Sequence, residues 1–103
     1  MSRMCAIIDI GIGTPGAIKH LLRKVGAQAE ITNSADAIKA ADKIVLPGVG
    51  AFDHGMEALA ASGLMDILNE QALDAGKPVL GICLGAQMLG RRSEEGSMPG
   101  LGW

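Results

Sequence analysis

Met4 to Ile10 (MCAIIDI) is apolar on both faces until Asp9, the pattern of a parallel strand covered by helices on each side. Thr14 and Pro15 then supply a helix N-cap and a proline at the first helical position. Ile18, Leu21, Leu22 and Val25 follow at spacings of 3, 4 and 7 before Gly26, which predicts an amphipathic helix with those side chains inward. Ala27 to Thr32 (AQAEIT) is a short second strand, placed near a sheet edge by Gln28 and Glu30. Ser34 caps a short helix to Ala41 that faces inward through Ile38.

Asp42 to Leu46 (DKIVL) predicts a third strand, stopped at once by Pro47, Gly48 and Gly50, a run that a central strand does not tolerate. Helical patterns run from Asp53 to Ala61 and from Leu64 to Ala75. Met56, Leu59, Leu64, Ile67 and Leu68 turn inward there, and Gly63 and Gly76 punctuate. Pro78 to Ile82 (PVLGI) is a fourth strand, and Leu84 to Leu89 begins another helix. Gly90 to Trp103 is turn-rich and yields no regular element.

Strands alternating with helices predict an α/β fold, a flavodoxin-like three-layer sandwich around a mainly parallel sheet of about four strands. Ligands of such sheets bind beyond the carboxyl ends of the strands. The segments to inspect are therefore Gly11 to Gly16, Pro47 to Phe52 and Gly81 to Gly85.

Composition narrows the function classes. With 103 residues, 49% hydrophobic and 19% charged, the chain fits one globular domain, residues 1–103. A formal charge of -2 and one Phe, one Trp and no Tyr argue against a nucleic-acid surface or stacking platform. No apolar run approaches the roughly 20 residues of a membrane helix, and no signal-peptide pattern precedes Met4, so a cytoplasmic address is expected. Two cysteines in such a chain, Cys5 and Cys83, are weak evidence for a disulfide. No His-x-x-x-His or Cys-x-x-Cys spacing suggests a metal, and no cofactor is expected.

Gly81-Ile82-Cys83-Leu84-Gly85 has the pattern of a nucleophile elbow with Cys in place of Ser. Such a turn is tight, so residues without a Cβ flank the nucleophile and its side chain stands above the sheet. A helix starting right after Cys83 favours negative charge on its sulfur, and the Leu84 N–H can serve an oxyanion. The plainer reading is a structural cysteine in a strand-to-helix turn. Pro47-Gly48-Val49-Gly50 follows the neighbouring strand and is either the second half of an oxyanion hole or an ordinary turn.

Gly11-Ile12-Gly13-Thr14-Pro15-Gly16 matches the glycines of a dinucleotide fingerprint. Pro15 stands where that fingerprint needs a free amide, and no acidic residue ends the second strand, so a tight turn is expected instead. A thiolate enzyme also needs a base. His20 and His54 are the two histidines: His20 reads as a solvent-facing helix residue, while His54, just after the Gly50 loop, either approaches the site or is a solvent-facing residue of a helix's first turn.

Val45 to Phe52 (VLPGVGAF) together with Gly81 to Gln87 (GICLGAQ) resembles class I glutamine amidotransferases, and among them the glutaminase subunits of imidazole glycerol phosphate synthase. The resemblance continues through Ser93-Glu94-Glu95-Gly96 and Gly100 to Trp103. It implies that Cys83 attacks the side-chain amide of glutamine, that Gly50 and Leu84 supply oxyanion N–H groups, and that Gln87, Gly48 and Gly85 bind the substrate. It also implies a (β/α)8 cyclase partner that receives the ammonia for histidine biosynthesis and switches the glutaminase on.

Family members begin with a loop reading Tyr-Gly-x-Gly-Asn-Leu, where this chain has Ile10 to Pro15 without the Tyr or the Asn. They also run to roughly twice this length, still one domain in size, with the triad His and Glu in the second half. The chain is accordingly expected to be the N-terminal half of such a domain, to turn over little or no glutamine alone, and to self-associate through an apolar strand edge. Two alternatives stand beside it: an amidotransferase of another pathway such as surface-polysaccharide sugar amination, and a flavodoxin-like scaffold with an idle Cys83.

Overall fold

The structure, a computed structural model, describes residues 4–13, 15–90 and 100–103. Strands β1 (Met4–Ile8), β2 (Gln28–Thr32), β3 (Lys43–Gly48) and β4 (Val79–Cys83) form one parallel sheet in the order β2-β1-β3-β4. Helices α1 (Pro15–Lys24), α2 (Ala35–Ala40), α3 (Phe52–Ser62) and α4 (Met65–Asn69) lie between them. A π-helical turn (Glu70–Asp74) continues α4, and α5 (Leu84–Met88) follows β4 directly. This is the α/β order read from the sequence. β2 is an edge strand with Gln28 and Glu30 exposed, as their polarity requires.

Successive side chains of a strand point to opposite faces, and that alternation divides the core in two. Ala6 and Ile8 of β1 and Ile44 and Leu46 of β3 face the main cluster, which α2 to α5 complete with Ile38, Phe52, Leu59, Leu68 and Met88 among others. Cys5, Ile7 and Val45 face the opposite way, where Ile18 and Leu22 of α1 pack on them. Each fully buried side chain of this size contributes about 1.5–3 kcal/mol. The larger cluster therefore supplies most of the hydrophobic stabilisation, and the layers are α1, sheet, then α2 to α5.

Several boundaries differ from expectation, each for a local reason. β1 ends at Ile8, because the Asp9 N–H donates to Thr32 O and the Asp9 carboxylate accepts from the Gly11 N–H in a tight turn. α1 buries none of its residues fully, and Leu21 and Val25 are 59% and 79% exposed. Among the described residues α1 is the one helix on its face, so its flank at Leu21 meets no neighbour. Val25 lies past the last helical residue, in a turn where the Gly26 and Ala27 N–H groups donate to Arg23 and Leu22 carbonyls. The proposed Thr14 cap lies outside the described residues, as do 93–96.

The largest correction concerns β3, which continues through Pro47 and Gly48 instead of breaking at Pro47. Ile44 N–H donates to Pro78 O, so alternation turns the backbone of Ile44, Leu46 and Gly48 to β4 and that of Val45 and Pro47 to β1. Pairing with β1 ends at Ile7 and Val45, so the proline falls where the ladder asks for no donor. β4 likewise runs one residue further, to Cys83, and α5 is five residues long. Residues 101 and 103 are tied to the end of α5 by N–H bonds to Met88 and Leu89 carbonyls, and the Trp103 indole donates to Asn69 Oδ1 at 2.6 Å. Among the described residues no helix is long and apolar enough to cross a membrane.

Candidate active site

β3 and β4 are in register with Gly48 opposite Cys83, so the two loops singled out in the sequence leave the same rim of the sheet side by side. Neighbouring strands lie about 4.8 Å apart. Cys83 is the last residue of β4 and the residue before α5, with φ 54° and ψ −119°. It is the one non-glycine residue at positive φ among the described residues, a conformation that costs roughly 1–3 kcal/mol. Its thiol is free and exposed, whereas Cys5 is free and buried in the minor cluster. The tight elbow anticipated from the Gly-x-Cys-x-Gly pattern is thus present.

The flanking glycines explain how the turn is possible. A Cβ on Gly81 would lie 2.6 Å from Ala86 Cα and 2.7 Å from its nitrogen, so α5 folds back directly onto β4. A Cβ on Gly85 would overlap the Leu46 carbonyl oxygen, so the start of α5 is also pressed against β3. Leu84, 3% exposed, pins the turn into the main core beneath α3, where Gly55 leaves room for it. As the first residue of α5, Leu84 carries an N–H with no acceptor inside the helix. With five residues, α5 offers only a short dipole to the sulfur.

Gly50 sits at φ +107° with open space around it, a backbone conformation that side-chain-bearing residues rarely adopt. Gly48 is buried, and a Cβ there would lie 3.3 Å from the Gly85 nitrogen. Gln87, four residues beyond Cys83, is exposed on α5. Cys83, Leu84, Gly85 and Gly48 are therefore gathered at one point, with Gly50 and Gln87 on the two segments that leave it. His20 is exposed on α1, under the opposite layer, and His54 is exposed in the first turn of α3. Among the described residues no group of three or more His, Cys, Asp or Glu could hold a metal ion.

One participant was missed in the sequence. Ile12 is 5% exposed and belongs to the main core, and its carbonyl accepts the N–H of Val49. Gly13 lies so close that a Cβ would stand 3.3 Å from Gly48 N. The first glycine loop is thus a tight turn, as expected, but it is also a clamp on the second. The signal was an isoleucine between two glycines, too apolar for a free surface loop.

A family model described as glutamine amidotransferase class-I matches residues 6–96. A Pseudomonas aeruginosa protein named imidazole glycerol phosphate synthase subunit HisH 2 is 53% identical over 100 residues, covering 97% of this chain and 50% of that protein. A Methanococcus maripaludis protein of the same name is 50% identical with the same coverage. The chain spans about half the length of these curated relatives. Among solved structures, one titled as a glutamine amidotransferase aligns with a TM-score of 0.75 at 19% identity, over 94% of this chain and 51% of that one. A putative peptidase E from Listeria monocytogenes aligns with a TM-score of 0.69 at 20% identity, over 84% and 49%. These two likenesses concern the fold.

Proposed function

This chain belongs to the class I glutamine amidotransferase family, and from that premise we propose that residues 1–103 form the nucleophile-bearing, N-terminal half of a domain that hydrolyses glutamine to glutamate and ammonia. The observation that carries the reading is Cys83, an exposed thiol at positive φ beside a glycine turn on the adjacent strand. Its sulfur, as the thiolate, bonds to the side-chain carbonyl carbon of glutamine. The Gly50 and Leu84 N–H groups donate to the oxygen that becomes negative. The carbon–nitrogen bond then breaks, the nitrogen takes a proton and leaves as ammonia, and a glutamyl thioester remains. Water attacks that carbonyl and returns the sulfur, releasing glutamate. Gln87 holds the substrate by hydrogen bonds, while Gly48 and Gly85 offer main-chain atoms and the space a Cβ would fill.

These proton transfers need a base, and His20 and His54 are both exposed on helices, His20 on the far layer of the sheet and His54 in the first turn of α3. The chain alone therefore turns over little glutamine, since losing one member of such a unit costs several orders of magnitude in rate. The relatives' second half is the proposed source of the base. Because those relatives are named as subunits of imidazole glycerol phosphate synthase, ammonia delivery to a (β/α)8 cyclase partner in histidine biosynthesis, in the cytoplasm, completes the reading. The departures at Ile10 and Thr14 from the family's first loop favour a second reading, in which the ammonia serves a different synthase such as one aminating surface sugars.

The test is covalent labelling with a diazoketone analogue of glutamine, read by peptide mass spectrometry. A single adduct at Cys83, suppressed by glutamine and not by asparagine, supports the reading. Equal modification of Cys5, or labelling indifferent to glutamine, overturns it.

A further inference from the structure

The carbonyls at the end of α5 are taken up one after another by a single short segment. Leu101 N–H donates to Met88 O at 2.8 Å, Trp103 N–H to Leu89 O at 2.8 Å and Gly102 N–H to Gly90 O at 2.9 Å. A Cβ on Gly100 would overlap the Gly90 carbonyl oxygen, so the two backbones are in direct contact there. α5 has only five residues, too few for a helix to hold itself in water, and its last carbonyls have no partner inside it. Its geometry is imposed from outside. Gly81 and Gly85 let its first turn press on β4 and β3, and residues 100–103 grip its other end. That segment is held in turn by Trp103, which packs against the main cluster and donates its indole N–H to Asn69 Oδ1 at 2.6 Å, at the last residue of α4.

The same helix carries two of the groups used in the glutaminase reading, the Leu84 N–H at its start and Gln87 in its last turn. We propose that Asn69 and Trp103 are positioning residues for the Cys83 site: their hydrogen bond fixes the far end of α5 and thereby aims the Leu84 N–H and Gln87 at the molecule the thiol attacks. The proposal rests on the glutaminase reading, and neither residue touches the reacting atoms. α3 does not supply this direction. It meets α5 where Gly55 faces the Leu84 and Met88 side chains, and apolar contact is non-directional, so the hydrogen bonds at the end of α5 set how the helix points. A displacement of about 1 Å in a positioned group can cost roughly a hundredfold in rate.

The test compares two labelling rates of Cys83 in the full 103-residue chain, one with the diazoketone analogue of glutamine and one with iodoacetamide, a small alkylating agent that needs neither the Leu84 N–H nor Gln87. Trp103→Phe and Asn69→Leu keep apolar bulk and lose the bond. Each slows the analogue by about tenfold and leaves the iodoacetamide rate within about twofold of the parent. Asn69→Asp keeps an acceptor for the indole and keeps the parent's rate with the analogue. Ile18→Ala, which loosens the minor cluster on the other face of the sheet, lowers Tm without slowing the analogue. The proposal is overturned if glutamine-protected labelling continues at the parent's rate in Trp103→Phe and Asn69→Leu, if both reagents slow together, or if Ile18→Ala slows the analogue as much. It is equally overturned if Asn69→Asp is as slow as Asn69→Leu, or if Trp103→Phe and Asn69→Leu both lose the parent's far-ultraviolet circular dichroism at the labelling temperature. A parent chain without glutamine-protected labelling is a different result: it overturns the glutaminase reading and takes this proposal with it.

Discussion

Gly48 and Cys83 are register partners at the carboxyl ends of β3 and β4. A strained thiol and a glycine turn thereby share one rim of a parallel sheet, where α/β folds place their ligands. The pairing rests on close packing more than on any hydrogen-bond network among side chains. α5 can reach back over both strands only because Gly81 and Gly85 have no Cβ.

Gly85→Ala therefore has a large effect for one methyl group. The new carbon meets the Leu46 carbonyl, so α5 must shift, at a cost of roughly 2–4 kcal/mol. Gly16→Ala, in open space on α1, is neutral or stabilises by up to about 1 kcal/mol. Thermal unfolding separates them, since each kcal/mol moves Tm by about 4–8 °C in a domain of this size.

Relieving the elbow separates stability from chemistry. Cys83→Gly removes the Cβ that makes φ 54° costly, whereas Cys83→Ala keeps it. The glycine variant is expected to be about 1 kcal/mol more stable than the alanine variant by urea unfolding, even though glycine raises the entropy of the unfolded chain. Neither variant takes up the glutamine analogue.

Hydrogen exchange reports the clamp between the first two loops. Val49 is 56% exposed, yet its N–H is held by the Ile12 carbonyl, and Ile12 is anchored in the main core. The Val49 amide is expected to exchange more slowly than that of Gly50, and Ile12→Ala to abolish the difference. Equal exchange at both amides in the parent chain contradicts the clamp.

Trp103 is the one tryptophan and therefore a site-specific reporter. Its indole donates to Asn69 Oδ1, which ties residues 100–103 to the end of α4. Asn69→Ala is expected to cost about 1 kcal/mol and to shift tryptophan emission to the red as the indole gains solvent.

The parallel sheet, the edge position of β2 and the buried Ile38 were legible because they follow from alternation, polarity and capping within short windows. Cys83 and its glycines were legible because a strained elbow restricts its own neighbours. Three features were not. Pro47 looked like a strand stop because its tolerance depends on where β1 ends, a fact about another segment. Leu21 and Val25 matched the helical period, yet periodicity does not say how many helices share a face or where the closing turn falls. Ile12 was passed over because its meaning lies in a tertiary bond to Val49.

The most direct measurement is the amide spectrum, by nuclear magnetic resonance, of the chain before and after the diazoketone analogue is loaded onto residue 83. If thiol and donors converge as described, the signals of Gly50 and Leu84 move together when the adduct's carbonyl arrives, while those around Cys5 stay in place. An adduct that forms and shifts neither Gly50 nor Leu84 contradicts a shared oxyanion site.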